Sequence, residues 1–284
     1  MNAWQAYRSL SAEQKKVLTT RTVDLKRSPD DLIAMLTPLA TYDKALAGMR
    51  RLFGIAAWLG FIGGALLYFR LSPPSPAIRL ALGALVVITV GAVWMWRWAR
   101  RADLSDNLRD TALPALKILR EDFARKRQVH IRLDLRLPTD KSKTQGKTAP
   151  YALGNYHHVV DEIFLDPWMS VDATLNDGGR LAWKIVDSVR VRKRRKRSAS
   201  GKTKFSTRKS KKTSIEVQLI LSKKRYDVVP DAGGRVKSSE KRHVVSMERK
   251  IRGESLDPVS PTALIDLVAD AYRNVQPAGT ETRV

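Results

Sequence analysis

A dense run of basic side chains lies between residues 190 and 212 and contains no acidic residue. Its cations are Arg190, Arg192, Lys193, Arg194, Arg195, Lys196, Arg197, Lys202, Lys204, Arg208, Lys209, Lys211 and Lys212. Like charges at this density repel one another, so the middle of the run is expected to be solvated and mobile unless an anionic partner is bound. Because the flanking segments alternate as strands do, the sequence predicts a basic β-hairpin arm that binds such a partner. The alternative is a solvated loop that serves solubility or topology.

Three kinds of anionic partner fit this run. Each lysine or arginine at an anionic membrane surface contributes about 1 kcal/mol, so half of the run would hold a domain on lipid headgroups. A nucleic acid would be contacted mainly through its phosphates, with strong salt dependence and little sequence preference. Phe205 is the one aromatic residue in the run, whereas base stacking uses several. The third kind of partner is an acidic protein or metabolite.

A second group that could do chemistry consists of His157, His158, Asp161 and Glu162. On a regular strand or helix, the first histidine can share a face with the aspartate and the second with the glutamate, as a metal site or an acid–base pair requires. A metal ion needs three or more converging ligands, and no nucleophile motif, phosphate-binding glycine loop or zinc-ligand spacing adds to these residues. We therefore assign no catalytic, cofactor-binding or metal-binding residue, and a hydrolase or metal enzyme built on the four residues stays an alternative.

A third pattern is the pair Gly60 and Gly64 in an apolar segment. Small residues at this spacing let helices approach closely in lipid, within one chain or between copies, and we expect packing within the chain. The apolar segments have no ionisable residue in their interior, and such residues usually mark transport pathways. A two-span monomer is therefore not expected to transport, and an oligomeric pore stays an alternative.

Two apolar segments are the elements that position the rest of the chain. Residues 52–69 and 80–96 carry no charge, and as helices each would extend roughly 25 Å, near the lower limit for crossing a hydrocarbon core of about 30 Å. Pro73, Pro74 and Pro76 between them are expected to end the first helix and to stiffen the turn. The sequence thus predicts a transmembrane helical hairpin over residues 52–98. The alternative is a buried helical hairpin in a soluble core.

Basic residues near the spans indicate their orientation. The flanking tails carry Lys44, Arg50, Arg51, Arg97, Arg100, Arg101 and Arg109, whereas the connecting turn carries Arg70 and Arg79. Positively charged flanks stay on the cytoplasmic side, so the N- and C-termini are both expected to be cytoplasmic. The absence of cysteine agrees with a reducing compartment. The expected location is a cell membrane, taken from composition to be a bacterial inner membrane, with the chain crossing it more than once.

Periodicity divides the remaining chain into helical and β-rich parts. Residues 1–51 predict N-terminal cytoplasmic helices with starts at Ser11 and Ser28 and an interruption at Pro38. Residues 99–126 predict a helical neck, and residues 127–284 a basic β-rich cytoplasmic domain with a C-terminal helix at 261–275 that covers one sheet face. The neck has Leu104, Leu108, Leu116 and Leu119 at helical spacing.

Within the β-rich domain, alternating segments predict four to six antiparallel strands. The segments are 129–135, 159–165, 168–175, 181–192, 215–221 and 244–251. The sequence Asn-Asp-Gly-Gly at residues 176–179 predicts the turn of a hairpin, because glycine supplies the positive φ that such turns require. Residues 139–150 are rich in lysine, threonine and serine and are expected to form a flexible loop.

These patterns predict an α+β membrane protein, a two-helix transmembrane hairpin with a helical neck and a cytoplasmic antiparallel β-rich domain closed by a C-terminal helix. The net charge of +24 indicates an anionic partner. We expect a membrane-anchored binding or scaffold protein that is not an enzyme and that engages an anionic surface through residues 190–212. The alternative is a ligand-gated two-span effector or oligomeric pore with a β sensor domain. Expected partners are the lipid bilayer, anionic lipid or a nucleic-acid backbone, a protein, and a second copy through the spans; no cofactor is expected.

Overall fold

The computed structural model describes residues 2–70, 75–125, 127–197, 201–229, 233–253 and 255–279. It has two long apolar helices towards the N-terminus and an antiparallel sheet, which confirms the α+β class. The chain forms two compact units. The helical unit comprises Met1–Thr19 and Thr37–Leu104, and the β unit comprises Thr20–Leu36 and Ser105–Val284. Pro73 and Pro74, which the sequence analysis assigned to a stiff turn, lie outside the described residues.

Two short helices open the chain, α1 (Ala3–Arg8) and α2 (Ala12–Thr20). The backbone N–H of Gln14 donates to Ser11 Oγ at 3.2 Å, and the backbone N–H of Ser11 donates to Gln14 Oε1 at 2.8 Å. This reciprocal capping box satisfies two backbone donors at the start of α2. The helix start predicted at Ser11 is confirmed.

The third helix, α3, spans Pro29–Arg70 without a break. Its predicted start is confirmed, because Ser28 Oγ accepts the backbone N–H of Asp31 at 3.2 Å. The interruption predicted at Pro38 is wrong. A proline inside a helix removes only one backbone hydrogen bond of the many in a helix of this length, and Leu36 and Leu39 beside it are fully buried. Burial of the flanking side chains offsets the cost of the lost bond.

The fourth helix, α4, spans Pro76–Ala102, so Pro76 begins the second long helix rather than ending the first. Ser75 caps it by accepting the backbone N–H of Ile78 at 3.4 Å. Among the described residues, α3 and α4 are the two helices long and apolar enough to cross a membrane. Of their apolar windows, 0% in α3 and 6% in α4 is buried. Neither helix is therefore sheltered as the core helix of a soluble domain would be.

The predicted neck is only partly helical. Helix α4 ends at Ala102. The next residue, Asp103, has an extended backbone, and its carboxylate pairs with Arg50. The next backbone N–H, of Leu104, donates to Asp43 Oδ1 at 3.3 Å instead of to a helical carbonyl. After this break come a π-helical turn (Leu108–Ala112), helix α5 (Leu113–Leu119) and a 3-10 turn (Arg120–Asp122). Side-chain capture of a backbone donor ended a helix that periodicity alone would have continued.

The β unit is built on an antiparallel sheet that has nine strands within the described residues. The strands of the unit are β1 (Thr22–Arg27), β2 (Val129–Asp134), β3 (Thr144–Lys147), β4 (Tyr151–Leu153), β5 (Tyr156–Thr174), β6 (Arg180–Arg197), β7 (Thr203–Ser222), β8 (Tyr226–Val228), β9 (Arg235–Ser238), β10 (Arg242–Gly253) and β11 (Val275–Pro277). The main path has the order β1-β2-β5-β6-β7-β10-β9, and β3 and β4 pair with β5. Strands β8 and β11 form a separate pair.

The sheet is larger than the four to six strands predicted, and two of its strands come from segments assigned otherwise. Strand β1 lies in the part of the chain assigned to helices and pairs with β2, placing Val23 opposite Leu133. Its alternation of Val23 and Leu25 with polar residues was the local sign of a strand. Strand β3 lies in the predicted loop 139–150 and pairs with β5.

The predicted hairpin is confirmed as β5 and β6. Segments 159–165 and 168–175 belong to one strand, β5, whose register shifts between Asp166 and Met169. The turn contains Gly178 at a φ of +81°, the conformation for which glycine was expected.

Helices cover one face of the sheet, as predicted for the C-terminal helix. Helix α6 (Pro261–Tyr272) packs on β7, β10 and α5. The neck leucines Leu108, Leu116 and Leu119 are buried. The opposite face is polar and open, and it lines a shallow groove of about 890 Å³ that includes Lys184.

Candidate anion-binding arm

The basic run forms the outer half of the β6–β7 hairpin, and we call residues 190–212 the arm. Strands β6 and β7 stay paired out to Arg197 opposite Thr203. Residues 198–200 lie outside the description. Over its described residues the arm is thus a β-ladder, because the two strands continue without a break from the sheet. The mobility expected for the middle of the run stays a prediction.

A third strand supports the arm. Strand β5 stays paired with β6 out to His158 opposite Arg195. Strand β4 pairs with β5 in turn, with Tyr151 opposite Val159. Because of these pairings, the arm is part of a multistranded sheet rather than an isolated two-stranded hairpin.

Alternation along β6 and β7 divides the side chains of the arm between two faces. The core-side face continues the helix-covered side of the sheet, from the buried Val189 and Val191 outward. Its outer residues are Lys193, Arg195, Arg197, Phe205, Thr207 and Lys209. The open-side face continues the polar side of the sheet and carries Arg190, Arg192, Arg194, Lys196, Lys204, Ser206, Arg208 and Lys212.

Two acids of β5 neutralise the root of the arm. Arg192 Nε and Nη2 donate to the two carboxylate oxygens of Asp161, each at 2.8 Å, and Tyr151 Oη donates to Asp161 Oδ2 at 3.1 Å. The Arg192 hydrogen bonds hold the pKa of Asp161 below its usual range. Lys193 Nζ donates to both carboxylate oxygens of Glu162 at 2.8 Å. These contacts compensate the first cations of the run.

One of the thirteen cations belongs to the core of the β unit. Lys211 is 7% exposed, and its Nζ lies 3.6 Å from Asp187 Oδ2 and donates to the backbone carbonyl of Asp257. Lys211 is therefore not available to a partner on the surface. The other cations of the arm's strands remain on the surface, exposed or half-buried.

The outer arm has no carboxylate of its own. Within the described residues, five cations that lie farther out than this root form no ion pair with an acid: Arg194, Arg195, Lys196, Arg197 and Lys204. On the open-side face, the ring of Tyr156 lies 5.3 Å from Arg194 Cζ and 5.5 Å from Lys196 Nζ. The positive charge of the outer arm is thus left for an external anion to balance.

A small crevice lies on the core-side face of the arm. It has a volume of about 280 Å³, with Val160 and Phe205 as its apolar lining and Lys193, Arg195 and His158 among its polar lining. Phe205 is 78% exposed. The strand register places His158, Arg195 and Phe205 side by side across three strands. Sequence reasoning noted Phe205 only as an isolated aromatic, because its neighbours follow from the register.

The histidine and acid group does not converge as a metal or acid–base site would. Its two acids are hydrogen-bonded to Arg192 and Lys193 of the arm, and His158 lies in the crevice. In the part of the chain that the structure describes, no three histidine, aspartate or glutamate side chains are grouped to hold a metal ion. Asp161 and Glu162 instead neutralise two basic side chains of the arm.

A buried acid pair was missed in the sequence. Asp166 and Asp187, 0% and 1% exposed, are opposite each other on β5 and β6. Lys143 Nζ lies 2.8 Å from Asp166 Oδ1, and Thr213 Oγ1 donates to Asp187 Oδ1 at 2.5 Å. Burial raises the pKa of Asp166 to about 6, although Lys143 opposes the shift. Alternation along β6 places Asp187 at an inward-facing position, but only the strand register shows that Asp166 lies opposite it.

The glycine pair lies where α3 and α4 approach each other. A Cβ atom at Gly60 would lie 2.2 Å from Thr89 Oγ1, and one at Gly64 would lie 3.4 Å from Leu85 Cδ2. A Cβ at Gly63 would meet nothing within 4 Å. The close approach within the chain therefore requires glycine at position 60 and not at position 63.

Comparison of the chain with protein-family models, with curated proteins and with solved structures found no match. The class of protein therefore follows from the structure. It is an α+β protein with two helices long and apolar enough to cross a membrane and with an antiparallel β unit that carries a basic arm.

Proposed function

We propose that the protein is a membrane-anchored binding protein whose β unit holds an anionic partner through the arm. The apolar windows of α3 and α4, 0% and 6% buried, support anchoring, because apolar surface of this extent is stable in hydrocarbon and not in water. The two helices span the bilayer as a hairpin. Both tails lie on the cytoplasmic side, since most cations near the spans are on the tails.

The single observation that carries the binding proposal is the uncompensated charge of the outer arm. Acids pair with Arg192 and Lys193 at its root, and five cations farther out, Arg194, Arg195, Lys196, Arg197 and Lys204, form no ion pair with an acid among the described residues. Such a ladder is held together against its own repulsion by the strand pairing and by β5. A bound polyanion removes this repulsion, and each cation in contact contributes about 1 kcal/mol at an anionic surface.

The chemistry of the arm also limits what it reads. Lysine and arginine bind phosphate and carboxylate groups as charges, so binding weakens steeply as salt screens them. The arm has one aromatic ring, Phe205, and base readout uses more. The partner is therefore recognised by its negative charge rather than by a base sequence.

The test uses the full chain in zwitterionic nanodiscs, mixed with phosphatidylglycerol vesicles or with duplex DNA at low salt. We expect binding to at least one of these probes and its release as salt rises. Replacing Arg194, Arg195, Lys196 and Arg197 with serine is expected to weaken binding by about a hundredfold or more.

A matched control removes the same charge from the other end of the sheet. It replaces Lys224, Lys237, Lys241 and Arg242, all exposed, with serine. This variant should keep most of the binding, because its net charge equals that of the arm variant while its arm is intact. Equal binding by the arm variant and the wild-type chain, or equal loss in both variants, would refute the proposal.

A further inference from the structure

We infer that the core-side face of the outer arm docks on an anionic bilayer surface, with Phe205 entering the boundary between headgroups and acyl chains. This inference rests on the proposed function, since it names the partner of the same arm. It adds the face that binds, the residue that enters the lipid and the class of surface that is recognised.

The two faces of the arm differ in what their cations contact. On the open-side face, Arg192 is bound to Asp161, and the ring of Tyr156 lies against Arg194 and Lys196. On the core-side face, Lys193 is bound to Glu162, whereas Arg195 forms no ion pair or ring contact within the described residues. Arg195 on the core-side face can therefore bind an external anion without breaking an ion pair or a ring contact.

The core-side face also carries the exposed aromatic ring. A single exposed phenylalanine is ordinary on a protein surface, but Phe205 lines a crevice together with Val160, and Lys193 and Arg195 line the same crevice. Cations around an apolar lining complement a surface whose anionic groups lie above an apolar layer. A phospholipid bilayer has this layering, with headgroup phosphates over acyl chains.

The other anionic partners match this face less well. A nucleic acid places its phosphates outside and its bases inside, and stacking on a base uses several aromatic rings, whereas the described part of the core-side face has one. An acidic peptide matches the cations and has no general need for the apolar lining. A lipid surface uses both, because basic side chains hold the headgroups while an aromatic ring enters the interface.

The experiment uses the absence of cysteine in the chain. An environment-sensitive fluorophore is attached to Thr207→Cys on the core-side face or to Ser206→Cys on the open-side face. These neighbours are both exposed and differ in the face on which they lie. The full chain is placed in nanodiscs of phosphatidylcholine alone or with phosphatidylglycerol, each with a lipid-attached quencher.

We expect quenching of the label at position 207 in the phosphatidylglycerol discs, little quenching in phosphatidylcholine discs, and loss of quenching at high salt. The label at position 206 should change little in any disc. Phe205→Ser in the Thr207→Cys chain should reduce the quenching several-fold. Leu153→Ser, which removes an apolar side chain exposed on β4, is the control and should leave the quenching unchanged. Equal quenching at positions 206 and 207, or an unchanged signal in Phe205→Ser, would overturn the inference.

A second measurement separates this inference from the proposed function. The labelled chains in phosphatidylcholine discs are mixed with duplex DNA or with polyglutamate in solution. If either label responds to a dissolved polyanion and neither responds to anionic lipid, the docking inference is wrong and the proposed function stands. If neither label responds to any probe, both are wrong.

Discussion

Arg192 and Asp161 form a two-point ion pair across β6 and β5, with both N···O distances at 2.8 Å. The carboxylate is nearly inaccessible, with 7% of the side chain exposed. Because the guanidinium donates in parallel to both oxygens, the pair fixes the register of the two strands where the arm leaves the core. The same pair thus neutralises a basic side chain and holds β5 against β6 at the root of the arm.

We expect Asp161→Asn to lower the free energy of unfolding by about 1–3 kcal/mol near neutral pH, because a two-point charged hydrogen bond is lost. The pKa of Asp161 is lowered in the folded protein, so its contribution is present above the unfolded value and is lost as pH falls through the lowered one. Denaturant unfolding of the full chain in detergent at several pH values measures this effect. Asp227→Asn at an exposed position is the control, and equal loss of stability in both variants would contradict the role of the pair.

The buried Asp166 has the opposite pH dependence. Its pKa rises to about 6 in the fold, so its proton is held more tightly in the folded state than in the unfolded state. The stability that it contributes is full below its unfolded value of 3.8 and is lost as pH rises through about 6. Asp166→Asn removes this titration. As pH rises from about 4 to 7, the free energy of unfolding of the variant should therefore fall by roughly 3 kcal/mol less than that of the wild-type chain.

The measurement for Asp166 is the same unfolding series, compared with Asp172→Asn. Arg180 lowers the pKa of Asp172, whose contribution is therefore lost as pH falls. Asp166→Asn should remove the part of the stability that is lost as pH rises, and Asp172→Asn should remove the part that is lost as pH falls. An Asp166→Asn chain with an unchanged curve would show that its carboxyl does not carry the pH dependence.

Gly60 and Gly63 offer a matched test of helix packing. Gly60→Leu should separate α3 from α4, because even a Cβ atom there would overlap Thr89 Oγ1. Gly63→Leu, with open space around it, should be tolerated. Thermal unfolding in detergent compares the two, and a larger loss of melting temperature in Gly63→Leu would contradict the packing.

The proposed membrane topology predicts opposite labelling of two serines. Ser75→Cys, at the start of α4, should react with an impermeant thiol reagent from outside intact cells, and Ser206→Cys should react only after the membrane is permeabilised. Both positions are exposed, so accessibility in the fold is equal. Reaction of both from the same side would exclude a hairpin with its tails on the other side.

Local patterns allowed much of the architecture to be predicted from the sequence. The apolar segments at 52–69 and 80–96 lie within α3 and α4, and the hairpin turn at 176–179 and the start of the C-terminal helix at Pro261 are where the sequence placed them. That helix ends at Tyr272 rather than at 275, because Val275 begins β11. Each of these elements depends on residues within one or two turns of a helix or within one strand. Periodicity, capping side chains and glycine conformations act over that range.

Elements that depend on distant partners were predicted poorly. Strands β1 and β3 are short, and they are strands because β2 and β5 offer them free edges. Pro38 suggested a helix break, and the burial of Leu36 and Leu39 overrides it. Tertiary contacts decide such marginal segments, because their local preferences differ by little free energy.

By itself, the sequence determined that the chain carries two apolar helices and one concentrated cationic run, since composition and periodicity are local properties. Only the tertiary structure decided how that charge is distributed. It joined Arg192 to Asp161 and brought Phe205 beside Arg195. The physical reason is that strand pairing sets which side chains are neighbours, and register is a property of two distant segments together.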